Sequence, residues 1–377
     1  MKIVIAPDSF KESLSALQVA DALEAGWKTV FPHAEYVKVP MADGGEGTVQ
    51  SLIEATAGRM MQAEVTDPLG GRIQAVYGIS GDGKTAVIEM AAASGLHLVP
   101  PARRNPLYTT SYGTGELISA ALDQGVTNII LGIGGSATND GGAGMLQALG
   151  VKLSDKHAVS LGYGGGCLAN LEYVDLSGLD TRLANVSIRV ACDVRNSLCG
   201  EQGASAVFGP QKGATLAMVG LLDGALSRFA DIVLRDTGIN ILNHEGAGAA
   251  GGMGGGVLLL PDVMLQSGVQ IVMDAVRLEE KIRDADLVLT GEGRMDSQSI
   301  RGKTPVGVAL AAKKLGKPVI AVVGSIGQGY EAVYEYGIDA VFPIIRSPGS
   351  LEEALQNGYD NLLSAAVNIA RLYNLPR

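Results

Sequence analysis

Lys2-Ile3-Val4-Ile5-Ala6 runs directly into Pro7-Asp8-Ser9-Phe10-Lys11-Glu12-Ser13, and this junction decides the fold. The short β-branched run reads as a strand buried on both faces, as in a parallel sheet. Downstream, Ala16, Val19, Ala20, Leu23, Trp27 and Val30 recur at helical spacing, with Ser13 or Ser15 available as the N-cap. Residues 34–39 read as a second strand and residues 48–57 as a second helix. A βαβα opening predicts an α/β fold with a doubly wound, mainly parallel sheet.

The far end of the chain repeats the style. Residues 287–290 and 319–323 read as strands, and 305–315 as a helix with Pro305 near its start. Residues 340–343 read as a last strand, and 351 to about 372 as a terminal helix. The middle differs: residues 73–79 and 85–89 read as strands joined by Ser80-Gly-Asp-Gly-Lys84, a hairpin signal. Residues 128–132 and 188–192 are further buried strands among glycine-rich loops. A length of 377 residues favours two α/β domains, but no linker or internal repeat marks a boundary.

Glycine is the compositional outlier, with 52 of 377 residues, about twice the usual share. These glycines cluster beside Asp, Glu, Ser and Thr, as expected where backbone must approach a ligand. A net charge of −10 argues against a nucleic-acid footprint, which needs a basic face. It does not exclude anionic substrates, because a local cluster or Mg²⁺ can reverse the field in a cleft. Three cysteines without a C-x-x-C pair argue against a disulfide framework or zinc site and fit a reducing compartment. No signal-peptide core or membrane-spanning apolar run is present, so the expectation is a cytoplasmic protein without a membrane partner.

Gly78-Ile-Ser-Gly-Asp-Gly-Lys84-Thr85 matches the P-loop pattern letter for letter. A P-loop lysine and threonine must open a helix whose N-terminus meets phosphate, whereas Thr85 opens a β-like run. The match is a decoy, and the hairpin is the better reading.

Five other segments combine glycine with acid. Asp8, Ser9 and Lys11 follow the first strand, where an open α/β sheet forms its ligand crevice; helix capping is the plainer explanation. Asp43-Gly44-Gly45-Glu46-Gly47 lies between a strand and a helix, with amides free for an anion and Asp43 able to bind Mg²⁺ or a hydroxyl. Gly134-Gly135-Ser136-Ala137-Thr138 sits in a strand–glycine loop–helix arrangement suited to phosphate. No acidic residue about 20 positions on completes a ribose-binding unit, which disfavours a nicotinamide cofactor. The fourth segment, Ala191-Cys192-Asp193-Val194, puts Asp193 at the end of the strand 188–192, where a simple cap is an equal alternative. Glu292-Gly293-Arg294-Met295-Asp296, followed by Arg301-Gly302-Lys303, is hard to explain as a loop alone. Residues 246–256, almost devoid of side chains, suit close approach by a nucleotide or by another backbone. His33, His97, His157 and His244 form no ligand-spaced pair.

At these segments the chain resembles the bacterial type I glycerate kinases. The matching stretches are APDSFKESLSA, ADGGEGT, GDGKTAVIEMAAASGL, TSYGTGELI, GIGGSATNDGGAGM, ACDV, FGPQKGA, AGAAGGMG and TGEGRMDSQSIRGKTPVGVA, in family order from residue 6 to about 310. The resemblance implies two α/β domains with the second inserted in the first, residues 1–65 with 285–377 and residues 66–284, and an active cleft between them. It implies transfer of the ATP γ-phosphate to D-glycerate with Mg²⁺, giving 2-phosphoglycerate, with the 3-phosphate as the alternative product. A nucleotide-dependent oxidoreductase or a non-catalytic metabolite-binding regulator are the other readings, and a homo-oligomer is compatible with all of them.

Mapped onto the residues, Asp193 or Asp296 orients and deprotonates the hydroxyl. Asp43 and Glu292, with Asp8 in support, hold the metal. Lys11, Arg294 and Lys303 receive the glycerate carboxylate or the phosphates. Asp8, Ser9, Asp43, Gly44 and Gly45 face the substrate, and Gly134, Gly135, Ser136, Thr138 and Lys303 the nucleotide.

Overall fold

The computed structural model describes residues 1–45, 47–300 and 302–376. The chain divides into two compact units, residues 1–57 with 267–377 and residues 58–266. Both boundaries fall earlier than 65/66 and 284/285, and packing explains why. Arg59–Thr66 pairs antiparallel along its whole length with Arg72–Ile79, so it joins the middle sheet. Gly268–Ala275 and Leu278–Ile282 pack on Thr304–Lys314, so they join the first unit.

The first unit is built on a five-stranded sheet in the order Ala340–Pro343, Val319–Val323, Leu287–Thr290, Lys2–Ile5, Glu35–Lys38. Every pairing is parallel. The winding leaves Lys2–Ile5 toward one edge and resumes from Leu287–Thr290 toward the other. The switch point therefore lies between these two strands, where an open sheet leaves its ligand crevice. Asp8 and Glu292 follow them.

Behind the sheet, Ile3, Ile5, Leu23, Trp27, Leu289 and Leu362 form the core. The helix Ala16–Lys28 buries Ala16, Val19, Ala20, Leu23 and Trp27 as one stripe and is capped by Ser15, whose Oγ accepts from Gln18 N. Trp27 stacks on Phe31 at 5.7 Å and meets Tyr373 at 5.5 Å. The last helix crosses here so closely that a Cβ on Gly26 would fall 2.5 Å from Ala366 Cβ.

The terminal helix is not continuous as its periodicity suggests. It breaks at Asn357 into Leu351–Gln356 and Gly358–Tyr373. Ser13, which does not cap the first helix, donates instead to Leu355 O at 2.7 Å and occupies the space a Cβ on Gly358 would need.

The second unit has a six-stranded sheet in the order Val263–Gln266, Ser187–Ala191, Asn128–Gly132, Thr85–Glu89, Arg72–Ile79, Arg59–Thr66. The first four run parallel and the last two antiparallel. The P-loop look-alike is the turn of the Arg72–Ile79 and Thr85–Glu89 hairpin. Asp82 closes it, accepting from Ser80 Oγ at 2.6 Å and Lys84 N at 3.0 Å. The long helix Leu216–Thr237 turns Leu222, Leu226, Phe229 and Val233 into this unit's core. No helix among the described residues is long and apolar enough to cross a membrane.

Candidate active site

In the first unit, the loops after all five parallel strands enclose a cavity of about 630 Å³. Asp8, Ser9, Lys11, Asp43, Glu292, Arg294 and Lys303 all line it. The sheet places them: Asp8 N donates to Gly291 O and Met41 N to Pro7 O, so each loop is tied to its neighbour. Glycine is needed for this closeness. A Cβ on Gly291 would lie 2.0 Å from Val322 O, and one on Gly268 would lie 1.9 Å from Asp43 O.

Asp8 is half-buried, with both carboxylate oxygens engaged. Thr304 Oγ1 donates to Oδ2 at 2.7 Å and Ser9 N to Oδ1 at 2.7 Å. Burial first, and the neighbouring Asp43 charge second, push its pKa up to about 6 against the two hydrogen bonds, with Glu292 adding a smaller repulsion. Asp43 Oδ1 accepts from Gly45 N at 3.0 Å, across a turn whose Gly44 has φ +87°.

Glu292 is buried. It accepts from Ser299 Oγ, and Lys303 Nζ donates to its other oxygen at 3.1 Å. Burial raises its pKa, while Ser299 and Lys303 oppose the rise. Arg294 is largely exposed and pairs with Asp296, Nε to Oδ2 at 3.4 Å. Asp296 also accepts from Gln298 N at 2.9 Å, so it holds its own turn, and it does not line the cavity. Glu46 and Arg301, read above as a second acid and a further cation, lie outside the described residues.

The remaining expected residues belong to the second unit. Asp193 is exposed just beyond Ser187–Ala191. Gly134 and Gly135 are exposed after Asn128–Gly132, whereas Ser136 and Thr138 are buried. Beneath them lies Lys212, which donates to Ser136 Oγ at 2.7 Å and to Thr138 O at 2.6 Å. Asp140 is also buried, accepting from Ser111 N at 2.9 Å, Ser111 Oγ at 2.8 Å, Gly142 N and Gly144 N. The glycine run at 246–256 serves another backbone: a Cβ on Gly251 would fall 2.0 Å from Thr138 O, and one on Gly256 would fall 2.1 Å from Gly141 O.

Sequence reasoning therefore missed Thr304 and Ser299 in the first unit and Lys212 in the second. Thr304 carried a signal, a hydroxyl at a helix start beside Pro305, but the reading of Arg301-Gly302-Lys303 stopped one residue short of it. A single lysine in the Gly209-Pro-Gln-Lys212-Gly213 turn carries no period or spacing that marks it as buried.

The donor set can be tested against Mg²⁺. No group of three or more His, Cys, Asp or Glu side chains forms a metal cage among the described residues. Mg²⁺ is commonly held by one or two carboxylates plus substrate phosphates, and Asp43 and Glu292 beside the self-repelling Asp8 fit that mode. A cation there would offset the burial and the Asp43 repulsion that raise the Asp8 pKa.

The glycerate kinase family model matches residues 3–374. A glycerate kinase from Haemophilus influenzae is 63% identical, covering 99% of this chain and 98% of the relative. A glycerate 2-kinase from Escherichia coli K12 is 58% identical, covering 98% and 97%. The crystal structure of the Salmonella typhimurium LT2 protein assigned as glycerate kinase 2 superposes with a TM-score of 0.93 at 56% identity, over 99% of this chain and 98% of that one.

Proposed function

This chain belongs to the glycerate kinase family, and from that premise we propose how its residues carry ATP-dependent phosphorylation of D-glycerate. The protein is a phosphotransferase, which removes the oxidoreductase and the non-catalytic regulator from consideration. The 2-hydroxyl as acceptor is supported by the 58% identity to a glycerate 2-kinase. The observation that carries the site is the meeting of Asp8, Asp43 and Glu292 with Lys11, Arg294 and Lys303 around one cavity at the switch point of a parallel sheet.

Phosphoryl transfer asks the protein mainly for positioning and for neutralising charge. Lys11 and Arg294 receive the glycerate carboxylate, and Ser9, Gly44 and Gly45 shape the pocket around it. Asp43 and Glu292 would hold Mg²⁺, which when bound neutralises phosphate oxygens. Lys303, seated at the start of Thr304–Lys314, faces the transferring phosphate from beside Glu292. Gly134, Gly135, Ser136 and Thr138 serve the nucleotide phosphates.

For the acceptor proton, the cavity favours Asp8 over the two carboxylates expected from sequence. It lines the pocket, and a pKa pushed up to about 6 makes it a better base at neutral pH than an ordinary aspartate. Asp296 then acts through Arg294, and Asp193 stays a candidate from the second unit. The three free cysteines suit a reducing cytoplasm with an ATP supply, which is where the proposal sets the reaction.

A single ³¹P NMR spectrum after incubation with ATP, Mg²⁺ and D-glycerate tests the reading. The expected product resonance is that of 2-phosphoglycerate. A 3-phosphoglycerate signal overturns the regiochemistry, and ATP left intact overturns the activity.

A further inference from the structure

Lys212 takes no part in the chemistry described above, yet its ammonium is almost wholly buried in the second unit at 2% exposure. A buried ammonium is normally paired, because leaving it unpaired in low dielectric is costly. Here its hydrogen-bond partners are neutral oxygens, Ser136 Oγ and Thr138 O. Asp140 is the carboxylate whose field reaches it. Both Asp140 oxygens, however, are taken up by Ser111, Gly142 and Gly144. The charge is held in place without being ion-paired.

The loop above it has a definite polarity. Four of its carbonyls are tied back: Gly132 O accepts from Met90 N, Gly135 O from Leu96 N, Ala137 O from Thr109 Oγ1, and Thr138 O from Lys212. The amides of Gly134, Gly135 and Ser136 donate to no described residue, and Gly134 and Gly135 are exposed. A lysine can only donate, so Ser136 Oγ spends a lone pair on it and keeps its own hydrogen for another acceptor. Two further buried polar atoms, Thr138 Oγ1 and Asn139 Oδ1, have no partner in the resting loop. Such orphans are rare in finished cores and mark a place where something else is to be bound.

We propose that Lys212 is a positioning residue for nucleotide phosphate: it fixes the Ser136 hydroxyl and the Gly134–Ser136 amides as outward donors and supplies the positive charge behind them. The inference rests on the assignment of this loop to the nucleotide. An arriving phosphate completes the set, giving the amides and the Ser136 hydroxyl an acceptor and the buried ammonium a counter-charge.

The test uses the full-length protein, with ADP affinity by calorimetry and KM for ATP and D-glycerate. Ser136→Ala and Lys212→Met are each expected to weaken ADP and raise KM for ATP about tenfold or more, the effect of losing a hydrogen bond to a charged group. KM for glycerate should stay within about twofold, a split that a merely structural role would not produce. The double variant should be little worse than the weaker single one, since Lys212 acts through Ser136.

ADP affinity unchanged in both variants overturns the inference, as does an equal rise in both KM values. Should Lys212→Met fail to melt cooperatively, Ser136→Ala decides alone, since losing one hydroxyl leaves the loop's other ties in place. A wild-type protein that binds ADP but never phosphorylates glycerate overturns the kinase reading and leaves this inference standing. An active kinase whose variants bind ADP normally does the reverse.

Discussion

Both units end a buried parallel strand in a glycine-rich loop, but they place charge in opposite ways. In the first, Asp8, Glu292 and Lys303 line a cavity, and burial first, with neighbouring charges after it, raises the pKa of the two carboxylates. In the second, Lys212 and Asp140 are withdrawn beneath the loop, with Ser136 buried on Lys212 and only Gly134 and Gly135 exposed. On the proposed reading, the difference separates charges that meet substrate from charges that hold a loop in the shape substrate needs. The first kind should govern turnover and the second affinity and stability.

The largest effect should come from Asp8→Asn. If Asp8 takes the acceptor proton, the amide keeps the Thr304 hydrogen bond but removes the base, and kcat should fall about 10²–10³-fold, or about 3–4 kcal/mol. Single-turnover kinetics at saturating ATP and glycerate would measure it. Turnover within threefold of wild type would return the base to Asp193 or Asp296 and dissolve the contrast between the units.

Next in size is Gly251→Ala in the second unit. Its Cβ would fall 2.0 Å from Thr138 O, at a residue with φ +70°. Overpacking against backbone costs about 1–3 kcal/mol, and the left-handed conformation adds to it. Calorimetry should show a Tm several degrees lower, and ADP affinity should fall because the displaced carbonyl is the one Lys212 holds. A variant with wild-type Tm would mean that the glycine run is not what supports the loop.

How much of this was legible depended on whether the residue left a pattern. Lys2–Ile5, Leu287–Thr290 and Val319–Val323 were readable because β-branched runs bounded by turns have few other uses in a soluble domain. The exposed edge strand Arg59–Thr66 was not, since its polar alternation resembles a loop without its hairpin partner. In the site, Asp8, Asp43 and Glu292 were legible as acids among glycines directly after strands. Their convergence, and the selection of Asp8 over Asp296, needed the sheet order, which only long-range pairing fixes. Lys212 was illegible for a stronger reason: a lysine is ordinarily a surface residue, and only three-dimensional burial reveals otherwise.

A smaller effect is expected from Asp296→Asn. The change loosens the Arg294 guanidinium, whose Nε lies 3.4 Å from Asp296 Oδ2, without removing it from the cavity. A drop in kcat/KM for glycerate of about tenfold, about 1.4 kcal/mol, is expected, with KM for ATP unmoved. Asp193→Asn is the matching probe in the second unit. Normal turnover in both would leave Asp8 as the remaining carboxylate for the hydroxyl proton, and a larger loss at Asp296 than at Asp8 would reverse their roles.

The smallest expected effect is a pH dependence of stability that belongs to the second unit. Burial lowers the pKa of Lys212 from the ordinary lysine value to about 7, with Asp140, itself held protonated to higher pH than usual by burial, opposing the drop. Between about pH 7 and the ordinary lysine value near 10.4, the unfolded chain therefore holds a proton that the folded chain has released. The state with more bound protons loses ground as pH rises, so stability of the wild type should climb through this window. Below pH 7 both states hold the proton and the burden of a buried charge is constant. Lys212→Met has no such group, so urea melts of the two proteins at pH 6.5, 8 and 9.5 should show the wild type gaining on the variant at each step. A constant difference would mean that the ammonium stays charged in the folded protein at alkaline pH. That would require the Asp140 carboxylate to act as a true counter-ion, and the second unit's charges would then form a closed pair rather than a cation waiting for phosphate.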